Sequence, residues 1–311
     1  MVKNITFIVT KDCQLACKYC YLVGKNSKEW MPWEVAKQAI DYVLEREEDF
    51  PEESVVWDFI GGEPFLEIDL IDKICDYIKV EQFQRDHHWF GAYRFSFSTN
   101  GINYHEEKVQ QFILKNKEHL SIGITIDGTE MKHDLNRVYK ASGRGSYKDV
   151  VRNIPLWLSQ FPDASTKVTI SSADIPYIKE SVLHLYALGI HEVNINCVFE
   201  DVWKAGDDRL FEEQLLMLAD AIIDNGYYRD YSCSFFGEHL GKPLDCKLQN
   251  QNWCGAGMML AVDAMGNFYP CTRFAQYSLR NKKAWIIGNI HDGIDKNKFC
   301  LLYTSDAADD K

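Results

Sequence analysis

Three cysteines near the start of the sequence have the residue type and the spacing to bind an iron–sulfur cluster. Cys13, Cys17 and Cys20 form a C-x3-C-x2-C motif directly after a short β-rich run. Three thiolates this close can bind three of the four irons of a cubane and leave the fourth iron without a protein ligand. The open iron could bind the amino and carboxylate groups of a small molecule. A structural zinc site is the alternative, but zinc prefers four ligands, and no fourth Cys or His lies nearby in this segment.

A glycine pair followed by Glu and Pro comes directly after the second β-rich run. Gly61 and Gly62 lack a Cβ, so the backbone there can approach a ligand closely, and Glu63 with Pro64 fixes the exit of the turn. By itself this sequence predicts only a turn. Its position directly after a strand makes it a candidate ligand-binding segment.

Polar residues also follow the third β-rich run. Ser98, Thr99 and Asn100 offer hydroxyl and amide groups that could bond the hydroxyls of a ribose. Asn100 and Gly101 also form a favourable turn pair, which is the alternative interpretation.

The fourth β-rich run and the segment after it supply a further set of polar residues. Thr125 and Asp127 alternate with apolar neighbours, so we expect them to share one face of the strand. Arg137 and Arg144 are candidates for a bidentate clamp on a ligand carboxylate. We expect at least one of these arginines to form a surface salt bridge instead.

The alternation of β-rich runs with amphipathic segments predicts the elements that position these motifs. Six strands with helices between them imply parallel strands joined by right-handed crossovers, and therefore a partial barrel. Parallel α/β folds place their chemistry at the carboxyl ends of the strands, which is where these motifs lie. The predicted strands are Ile5–Thr10, Val55–Ile60, Arg94–Thr99, Ser121–Ile126, Lys167–Ser171 and Glu192–Val198, and the predicted helices are Trp33–Glu48, Ile68–Gln84, Glu106–Asn116, Tyr147–Leu158, Ile178–Leu188 and Asp207–Asn225.

The pattern changes near Tyr231, where cysteines stand among glycines, aromatics and amides. We therefore predict the fold class α/β, with a partial (β/α)6 parallel barrel over residues 1–230 and a smaller cysteine-containing domain over residues 231–300. The last residues, 301–311, are acidic and rich in Ala, and we expect them to be a non-native or disordered tail.

Composition excludes several classes of protein. The net charge of −12 would repel phosphate groups and no Lys/Arg-rich stripe offsets it, so we expect no nucleic-acid partner. We find no cleavable leader and no apolar run long enough to span a bilayer, and we expect a cytoplasmic protein without a membrane segment. Ten cysteines in such a chain indicate reduced thiols and metal ligation instead of disulfides.

The segment DCQLACKYCY resembles the signature of the radical S-adenosylmethionine (SAM) superfamily. The resemblance implies a [4Fe-4S] cluster held by the three cysteines, SAM as a second cofactor, and a partial barrel of the radical SAM type. In this family the aromatic residue before the third cysteine lies near the adenine, a role that falls to Tyr19, although Tyr19 could also be a packing aromatic. The GGEP segment resembles the family motif that holds the methionyl amino group.

The later cysteines resemble the opening of a SPASM domain, which holds auxiliary iron–sulfur clusters in enzymes that act on peptides and proteins. In that domain a cysteine precedes a G-x4-C motif, and Cys254, Gly266 and Cys271 fit this spacing. A hairpin that turns at residues 265–267 is the alternative. The resemblance implies that Cys254 and Cys271 are candidate ligands of an auxiliary cluster.

Cys233 and Cys246 are further candidate ligands, with buried or idle thiols as the alternative. A complete SPASM domain continues with a dense group of cysteines, whereas this sequence offers only Cys300. We therefore expect an incomplete auxiliary-cluster region and poor turnover.

The overall resemblance is to peptide-modifying radical maturases of the SPASM group, relatives of the sactipeptide and ranthipeptide maturases, and specifically to those whose targets carry Cys-x-x-x repeats. It implies that a 5′-deoxyadenosyl radical removes a hydrogen from a residue of a ribosomal precursor peptide and that a cysteine sulfur then forms a thioether. An external reductant such as flavodoxin or ferredoxin and a leader-binding protein are the expected partners.

Two alternatives remain open. An anaerobic sulfatase-maturing enzyme shares these motifs but oxidises a Cys or Ser to formylglycine, which needs a general base. No Asp or Glu stands out for that role in the sequence. The other alternative is a non-catalytic iron–sulfur or zinc-binding module.

Overall fold

The strands of the protein form two sheets in a computed structural model that describes residues 2–23, 25, 27–237, 259–278 and 283–300. The strands are β1 (Val2–Thr10), β2 (Ser54–Gly61), β3 (Tyr93–Thr99), β4 (Leu120–Ile124), β5 (Ser165–Ile170), β6 (Glu192–Cys197), β7 (Ser232–Cys233), β8 (Met259–Val262), β9 (Asn267–Tyr269), β10 (Gly288–Asn289) and β11 (Gly293–Ile294). The larger sheet has the order β11-β10-β9-β8-β1-β2-β3-β4, and the smaller sheet has the order β5-β6-β7.

The first six strands run parallel in two groups. The strands β1 to β4 pair in sequence order, and β5 pairs with β6. One parallel contact, between Thr125 and Lys167, connects the two groups. The predicted α/β class with a parallel sheet is therefore confirmed, and the Thr166 hydroxyl adds a second link, since it donates to the Ile124 carbonyl at 2.7 Å.

The helices agree with the sequence pattern at four of the six predicted places and differ in two. The predicted helix Tyr147–Leu158 is divided, because Pro155 has no N–H with which to continue a helical hydrogen-bond ladder. The predicted helix Trp33–Glu48 ends at Leu44. The helices are α1 (Trp33–Leu44), α2 (Ile68–Gln84), α3 (Glu107–Asn116), α4 (Glu130–Asn136), α5 (Tyr147–Val151), α6 (Ile154–Gln160), α7 (Ile178–Ala187), α8 (Asp207–Asp224) and α9 (Lys296–Cys300). Among the described residues, no helix has the length and apolar character to cross a bilayer.

The two faces of the sheets differ in polarity. One face packs under the helices and carries the large apolar side chains, such as Trp57, Phe59 and Phe97, in one continuous core. The opposite face is the inner face of the arc, and we call it the lumen face. Its side chains include Thr6, Asp58, Ser96, Ser98 and Lys167.

The late strands join the sheets formed by the early ones. Strand β8 pairs in parallel with β1, from Asn4 with Met259 to Phe7 with Val262, and forms a hairpin with β9. The hairpin turns at Gly266, whose φ of +77° suits a residue without a Cβ. This confirms the hairpin interpretation of residues 265–267. Because β7 also extends the smaller sheet, strands beyond residue 231 belong to both sheets, and a domain boundary there stays a prediction.

Candidate functional site

The three cysteines lie in the loop after β1, residues 11–23, which we call the cysteine loop. Cys13 is buried, whereas Cys17 and Cys20 are half-buried. The backbone N–H of Ala16 donates to the carbonyl of Val138 at 2.8 Å, which ties the loop to the segment after α4. The ligand-bearing loop is therefore held at the carboxyl end of β1, as the parallel fold predicts.

The three sulfurs of the cysteine loop are not gathered around one point in the described part of the chain. Thiolates that share one Zn²⁺, with Zn–S bonds of ~2.3 Å, lie within about 4 Å of one another. In the part of the chain that the structure describes, the Sγ atoms of Cys13, Cys17 and Cys20 do not form a group within 4.8 Å of one another. Thiolates that bind different irons of a cubane stand farther apart. Three thiols in one loop are the donor set that a cubane with one open iron requires.

Burial sets the protonation of these thiols. It raises the pKa of Cys13 to about 12, and the charge of Glu63 adds to this effect. Burial also raises the pKa of Cys17, although Arg137 opposes the shift. Metal ligation must therefore displace protons from both sulfurs. The backbone N–H of Leu15 donates to Cys13 Sγ at 3.3 Å, a contact that stabilises negative charge on the sulfur.

Gly61 and Gly62 bring the end of β2 against the cysteine loop. A Cβ on Gly61 would overlap the carbonyl oxygen of Thr10, and a Cβ on Gly62 would overlap the backbone of Asp12 and lie 3.0 Å from the Cβ of Cys13. The N–H of Gly62 donates to the carbonyl of Thr10 at 2.9 Å. The glycine pair therefore allows the cysteine loop to pack on β2, a role that we did not predict.

The buried carboxylate of Glu63 joins the ends of β2 and β3. It accepts hydrogen bonds from the Thr99 hydroxyl at 2.6 Å, the Asn100 N–H at 2.7 Å and the Phe65 N–H at 3.1 Å. Burial raises the pKa of Glu63, and these three donors oppose the shift. The next residue, Pro64, is also buried and begins a short 3-10 helix. Two of the predicted motifs thus meet at one edge of the sheet.

The three polar residues at the end of β3 face different surroundings. The side-chain N–H of Asn100 donates to Gln14 in the cysteine loop at 3.0 Å, and the hydroxyl of Thr99 is buried. Ser98 lies on the lumen face, where its hydroxyl accepts a hydrogen bond from the Lys167 ammonium at 2.8 Å. Of these three residues, Ser98 is the one whose hydroxyl faces the lumen. A contact with ribose stays a prediction.

Tyr19, Asp127 and Arg137 form a hydrogen-bonded chain beside the cysteine loop. The Tyr19 hydroxyl donates to Asp127 Oδ2 at 2.5 Å and accepts from Arg137 Nη1 at 2.8 Å. Arg137 is 6 % exposed, and its buried Nε has no hydrogen-bond partner. An unsatisfied buried donor costs free energy, and a carboxylate is a strong partner for a guanidinium. The position of Arg137 therefore fits a clamp on a ligand carboxylate.

Asp127 is fully buried. Burial opposes its charge, but Lys132 and Arg137 outweigh burial and lower the pKa of Asp127. Its Oδ1 accepts a hydrogen bond from the Thr169 N–H at 3.1 Å. Thr125, which we expected on the same face, lies at the contact between the two sheets. Asp127 thus holds other residues of the site in place.

A buried polar cluster on α4 was missed in the sequence. Lys132, His133 and Asp174 are each at most 1 % exposed. The Lys132 ammonium donates to the Thr169 carbonyl at 2.6 Å and lies 3.8 Å from the Asp127 carboxylate and 3.9 Å from that of Asp174. The available signal was the KHD segment at residues 132–134, where charged and polar residues replace the apolar positions of a helix.

Arg144 lies apart from this site, at the surface. Its guanidinium pairs with Asp149 at 2.6 Å and lies over the ring of Tyr139, and its side chain is 57 % exposed. Of the two arginines considered as carboxylate clamps, Arg144 therefore forms the surface salt bridge that we expected for one of them. Because Arg144 pairs with Asp149 at the surface, we do not assign it to the candidate site.

A cavity of about 310 Å³ opens beside the cysteine loop. Its wall is formed by Cys20 and its neighbours, by the loop after β6 with the exposed ring of Phe199, and by the segment after β9. Arg273 crosses this wall, because it pairs with Glu200 at 2.8 Å and lies over the ring of Tyr21. The cavity therefore lies where the cysteine loop meets the C-terminal part of the chain.

The four candidate ligands of an auxiliary cluster have different positions. Cys271 is buried just after β9. Cys233 lies in β7 within the main apolar core, where burial raises its pKa to about 11. This position fits the alternative of a core thiol. Cys246 and Cys254 lie outside the described residues, and an auxiliary cluster stays a prediction.

The fold is similar to those of two solved structures. The enzyme anSMEcpe, with bound AdoMet and the Cp18Cys peptide, has a TM-score of 0.71 at 22% identity, over 96% of this chain and 80% of that chain. Streptococcus suis SuiB, bound to the precursor peptide SuiA, has a TM-score of 0.66 at 12% identity, over 98% of this chain and 65% of that chain. At these identities the similarity is one of fold.

Sequence comparison finds two informative relatives. An uncharacterized protein of Methanocaldococcus jannaschii is 30% identical over 198 residues, which are 63% of this chain and 62% of that protein. The serine-type anaerobic sulfatase-maturating enzyme of Bacteroides thetaiotaomicron is 22% identical over 300 residues, which are 86% of this chain and 69% of that enzyme. The profile of the Radical SAM superfamily matches residues 7–195, more than half of the chain. The chain therefore belongs to the radical SAM superfamily, the class of enzyme predicted from its sequence.

Proposed function

We propose that this chain cleaves SAM with a [4Fe-4S] cluster and modifies a ribosomal peptide, forming Cys-derived thioether cross-links in a Cys-repeat precursor. Its family supports SAM chemistry. Two of the solved structures with a similar fold, anSMEcpe and SuiB, were obtained with a peptide bound, which supports a substrate of the same kind. The Cys-repeat target follows from the sequence resemblance.

The observation that carries the proposal is the packing of residues 259–278, which we call the C-terminal segment, against the cysteine loop. Ala261, Tyr269 and Ala275 form a small apolar cluster with Ile8 and Leu22. Arg273 and Ser278 of the same segment line the cavity beside the cysteine loop, so this segment supplies part of the cavity wall. A volume of about 310 Å³ is at the lower end for ligand pockets, which suits one or two side chains of a longer peptide.

Within this proposal the three cysteines hold the cluster and the strand ends hold SAM. We assign the SAM carboxylate to Arg137, its amino group to residues 61–64, its adenine to Tyr19 and its ribose to Ser98, while Asp127 positions Tyr19 and Arg137. When bound, the cluster supplies the electron that cleaves SAM and so produces the radical that removes a hydrogen atom from the substrate.

Formylglycine formation on a sulfatase is the second candidate function. The match to the anaerobic sulfatase-maturating enzyme supports it, because that match covers 86% of this chain. Both candidate reactions begin with the same SAM cleavage and act on a protein segment. They differ in the product, so product analysis separates them.

A non-catalytic zinc module is the least compatible of the three functions. The cysteine loop offers three thiolates, whereas a structural zinc site has four ligands. A zinc module would also give no role to the buried Nε of Arg137, which has no hydrogen-bond partner in the structure.

We further propose partners and a compartment. An external donor such as flavodoxin or ferredoxin would supply electrons, and a leader-binding protein could present the peptide. Cys271, with cysteines outside the described residues, is the proposed start of an auxiliary cluster. The proposed compartment is the cytoplasm, since ten cysteines in a chain of this length fit reduced thiols and metal ligation.

Replacing Cys13, Cys17 and Cys20 together by Ala tests the cluster and the SAM chemistry. We expect the wild-type chain, reconstituted without oxygen, to bind about four irons and to release 5′-deoxyadenosine from SAM under strong reduction. The triple variant should lose both properties, because no thiolates remain to hold the cluster. Iron analysis and chromatography of the nucleoside measure the two effects.

The matched control is Cys75→Ala, which removes a thiol from the core side of α2, away from the cysteine loop. It should retain the iron and the SAM cleavage even if it lowers stability. SAM cleavage retained by the triple variant would contradict the proposal. Mass spectrometry of the peptide product then chooses between functions: loss of two hydrogens from a Cys-repeat peptide supports thioether formation, and formylglycine on a sulfatase peptide supports the second candidate.

A further inference from the structure

A carboxylate on the lumen face of β2 has no role in the site described above. We propose that Asp58 meets the nucleophilic group of the substrate and accepts the proton that this group loses during the reaction. The inference rests on the proposed function, because it assigns a residue to the substrate side of that reaction. It supplies the general base for which no Asp or Glu stood out in the sequence.

Asp58 lies in the middle of the lumen face. The strand register places it beside Thr6 of β1 and Ser96 of β3. Its chain neighbours Trp57 and Phe59 are fully buried on the opposite face, under the helices. Because side chains alternate across a strand, Asp58 points into the lumen.

The groups around Asp58 leave its carboxylate able to take a proton. The Thr6 hydroxyl lies 3.5 Å from Oδ2, and the Ser96 hydroxyl also bonds the carboxylate. Both partners are neutral hydroxyls that can rotate. The ammonium of Lys167 donates to Ser98 at 2.8 Å. Burial raises the pKa of Asp58 against the opposing effects of Ser96, Lys167 and Thr6, and a raised pKa makes a carboxylate a better base near neutral pH.

The cysteine loop packs close to the end of the strand that carries Asp58. Two residues after Asp58, Ile60 packs against the same small apolar cluster as Tyr21. A substrate group in the lumen could therefore have the cluster loop on one side and Asp58 on the other.

Other buried carboxylates near the strand ends are already bound to internal donors. Asp127 accepts the Tyr19 hydroxyl, and Glu63 accepts three hydrogen bonds. Asp174 accepts the Asn136 side-chain N–H at 2.8 Å. Protonating any of these would break the connections that hold the site together. The donors that bond Asp58 are the Thr6 and Ser96 hydroxyls, which can rotate when the carboxylate takes up a proton.

Both candidate reactions remove two hydrogens from the substrate, and Asp58 accounts for one of them. The first hydrogen leaves a carbon of the substrate as a hydrogen atom and becomes part of 5′-deoxyadenosine. In thioether formation, a carbon–sulfur bond then forms as the S–H bond breaks. In formylglycine formation, a double bond forms from carbon to sulfur or oxygen as the S–H or O–H bond breaks. Either step releases one proton and one electron. Asp58 takes the proton and becomes a neutral carboxyl, and a one-electron acceptor of the iron–sulfur class takes the electron.

The test compares Asp58→Asn with Asp69→Asn in the full chain. Both changes replace a carboxylate by an amide of the same size, but Asp69 lies on α2 with its side chain 74 % exposed. The substrate is a Cys-repeat peptide deuterated at the cysteine and its neighbours. We expect Asp58→Asn to transfer deuterium into 5′-deoxyadenosine within about threefold of wild type but to form at least about 100-fold less modified peptide. Asp69→Asn should match wild type in both.

Peptide binding to the metal-free protein, measured by fluorescence anisotropy, gives a readout separate from turnover. Its affinity should change by less than about threefold in Asp58→Asn, because the amide keeps the shape of the lumen. Modified peptide formed at the wild-type rate would overturn the inference and leave the proposed function intact. Joint loss of deuterium transfer and product would also overturn it, since that indicates a structural role. A wild-type chain that cleaves SAM but modifies neither a Cys-repeat nor a sulfatase peptide contradicts the proposed function and this inference together.

Discussion

The partners of His133 keep its ring neutral. Its Nδ1 accepts the N–H of Asp127 at 3.2 Å, and its Nε2–H donates to Ser146 Oγ at 2.9 Å, since that hydroxyl donates its own proton to the Arg137 carbonyl at 2.9 Å. Burial lowers the pKa of His133 to about 3. A charged ring would lose the bond to Asp127 and would stand near a buried arginine. The neutral ring is therefore part of the support for Tyr19 and Asp127.

We predict that His133 makes the metal-free protein less stable as the pH falls from about 6.5 to about 3. The unfolded ring takes up a proton below its ordinary pKa of 6.5, whereas the folded ring resists protonation down to about 3. Its contribution is therefore complete above pH 6.5 and is lost as the pH falls through this window. His133→Gln cannot titrate and should flatten this part of a plot of urea midpoint against pH.

The control for this prediction is His105→Gln, a change at an exposed histidine. It should leave the slope of the plot unchanged. Equal slopes for wild type and His133→Gln would show that the ring is not held neutral by its surroundings.

At the scale of elements, the packing of β2 against the cysteine loop depends on Gly62. We predict that Gly62→Ala lowers the iron content at least about twofold and the stability by about 1–3 kcal/mol, because the new Cβ would meet the backbone of Asp12 and force the loop to move. Iron analysis and a urea titration measure the two effects. Gly237→Ala is the control, since a Cβ there would lie 3.5 Å from its nearest neighbour. Full iron content in Gly62→Ala would show that the loop adapts without cost.

The elements that could be predicted are those whose apolar residues follow a regular period. In β3 the buried Phe95 and Phe97 alternate with Ser96 and Ser98, and this strand agrees with the sequence prediction to within one residue. Helix α4 was missed because its inward side carries Lys132 and other polar residues, so it has no apolar period. A regular period of apolar residues indicates which face of an element is buried, but it does not detect a buried network of polar residues.

The candidate site was predictable where spacing along the chain carries the information. The three cysteines, residues 61–64 and Asn100 each directly follow a strand, and the fold brings them together. Asp58 lies inside a strand as a single carboxylate without a motif. Its position beside Thr6 and Ser96 depends on the register of three strands, which requires the tertiary structure.

At the scale of the whole molecule, Arg273 connects the C-terminal segment to the loop after β6. Arg273 forms an ion pair with Glu200, in which the arginine side chain is 41 % exposed and the glutamate side chain is 38 % exposed. We therefore expect the pair to contribute at most about 1 kcal/mol to the free energy of unfolding. We predict that Arg273→Ala leaves Tm almost unchanged but increases local opening up to about fivefold. Hydrogen exchange over residues 198–203 and 271–278 measures this opening.

Lys296→Ala is the control for Arg273→Ala, because it removes a different surface ion pair, with Asp49. It should not change exchange near the cavity. A large fall in Tm for Arg273→Ala would mean that the contact stabilises the whole fold and not only the wall of the cavity.

The pairing of β1 with both β2 and β8 has a consequence for synthesis of the protein. On the ribosome, β1 and β2 emerge early, whereas Met259, which pairs with Asn4, emerges only near the end of the described chain. Until then one edge of β1 keeps unpaired backbone donors and acceptors, and such an edge can pair with a strand of another nascent chain. Slow translation or a shortage of chaperones should therefore direct this protein toward aggregates that grow from its first strand.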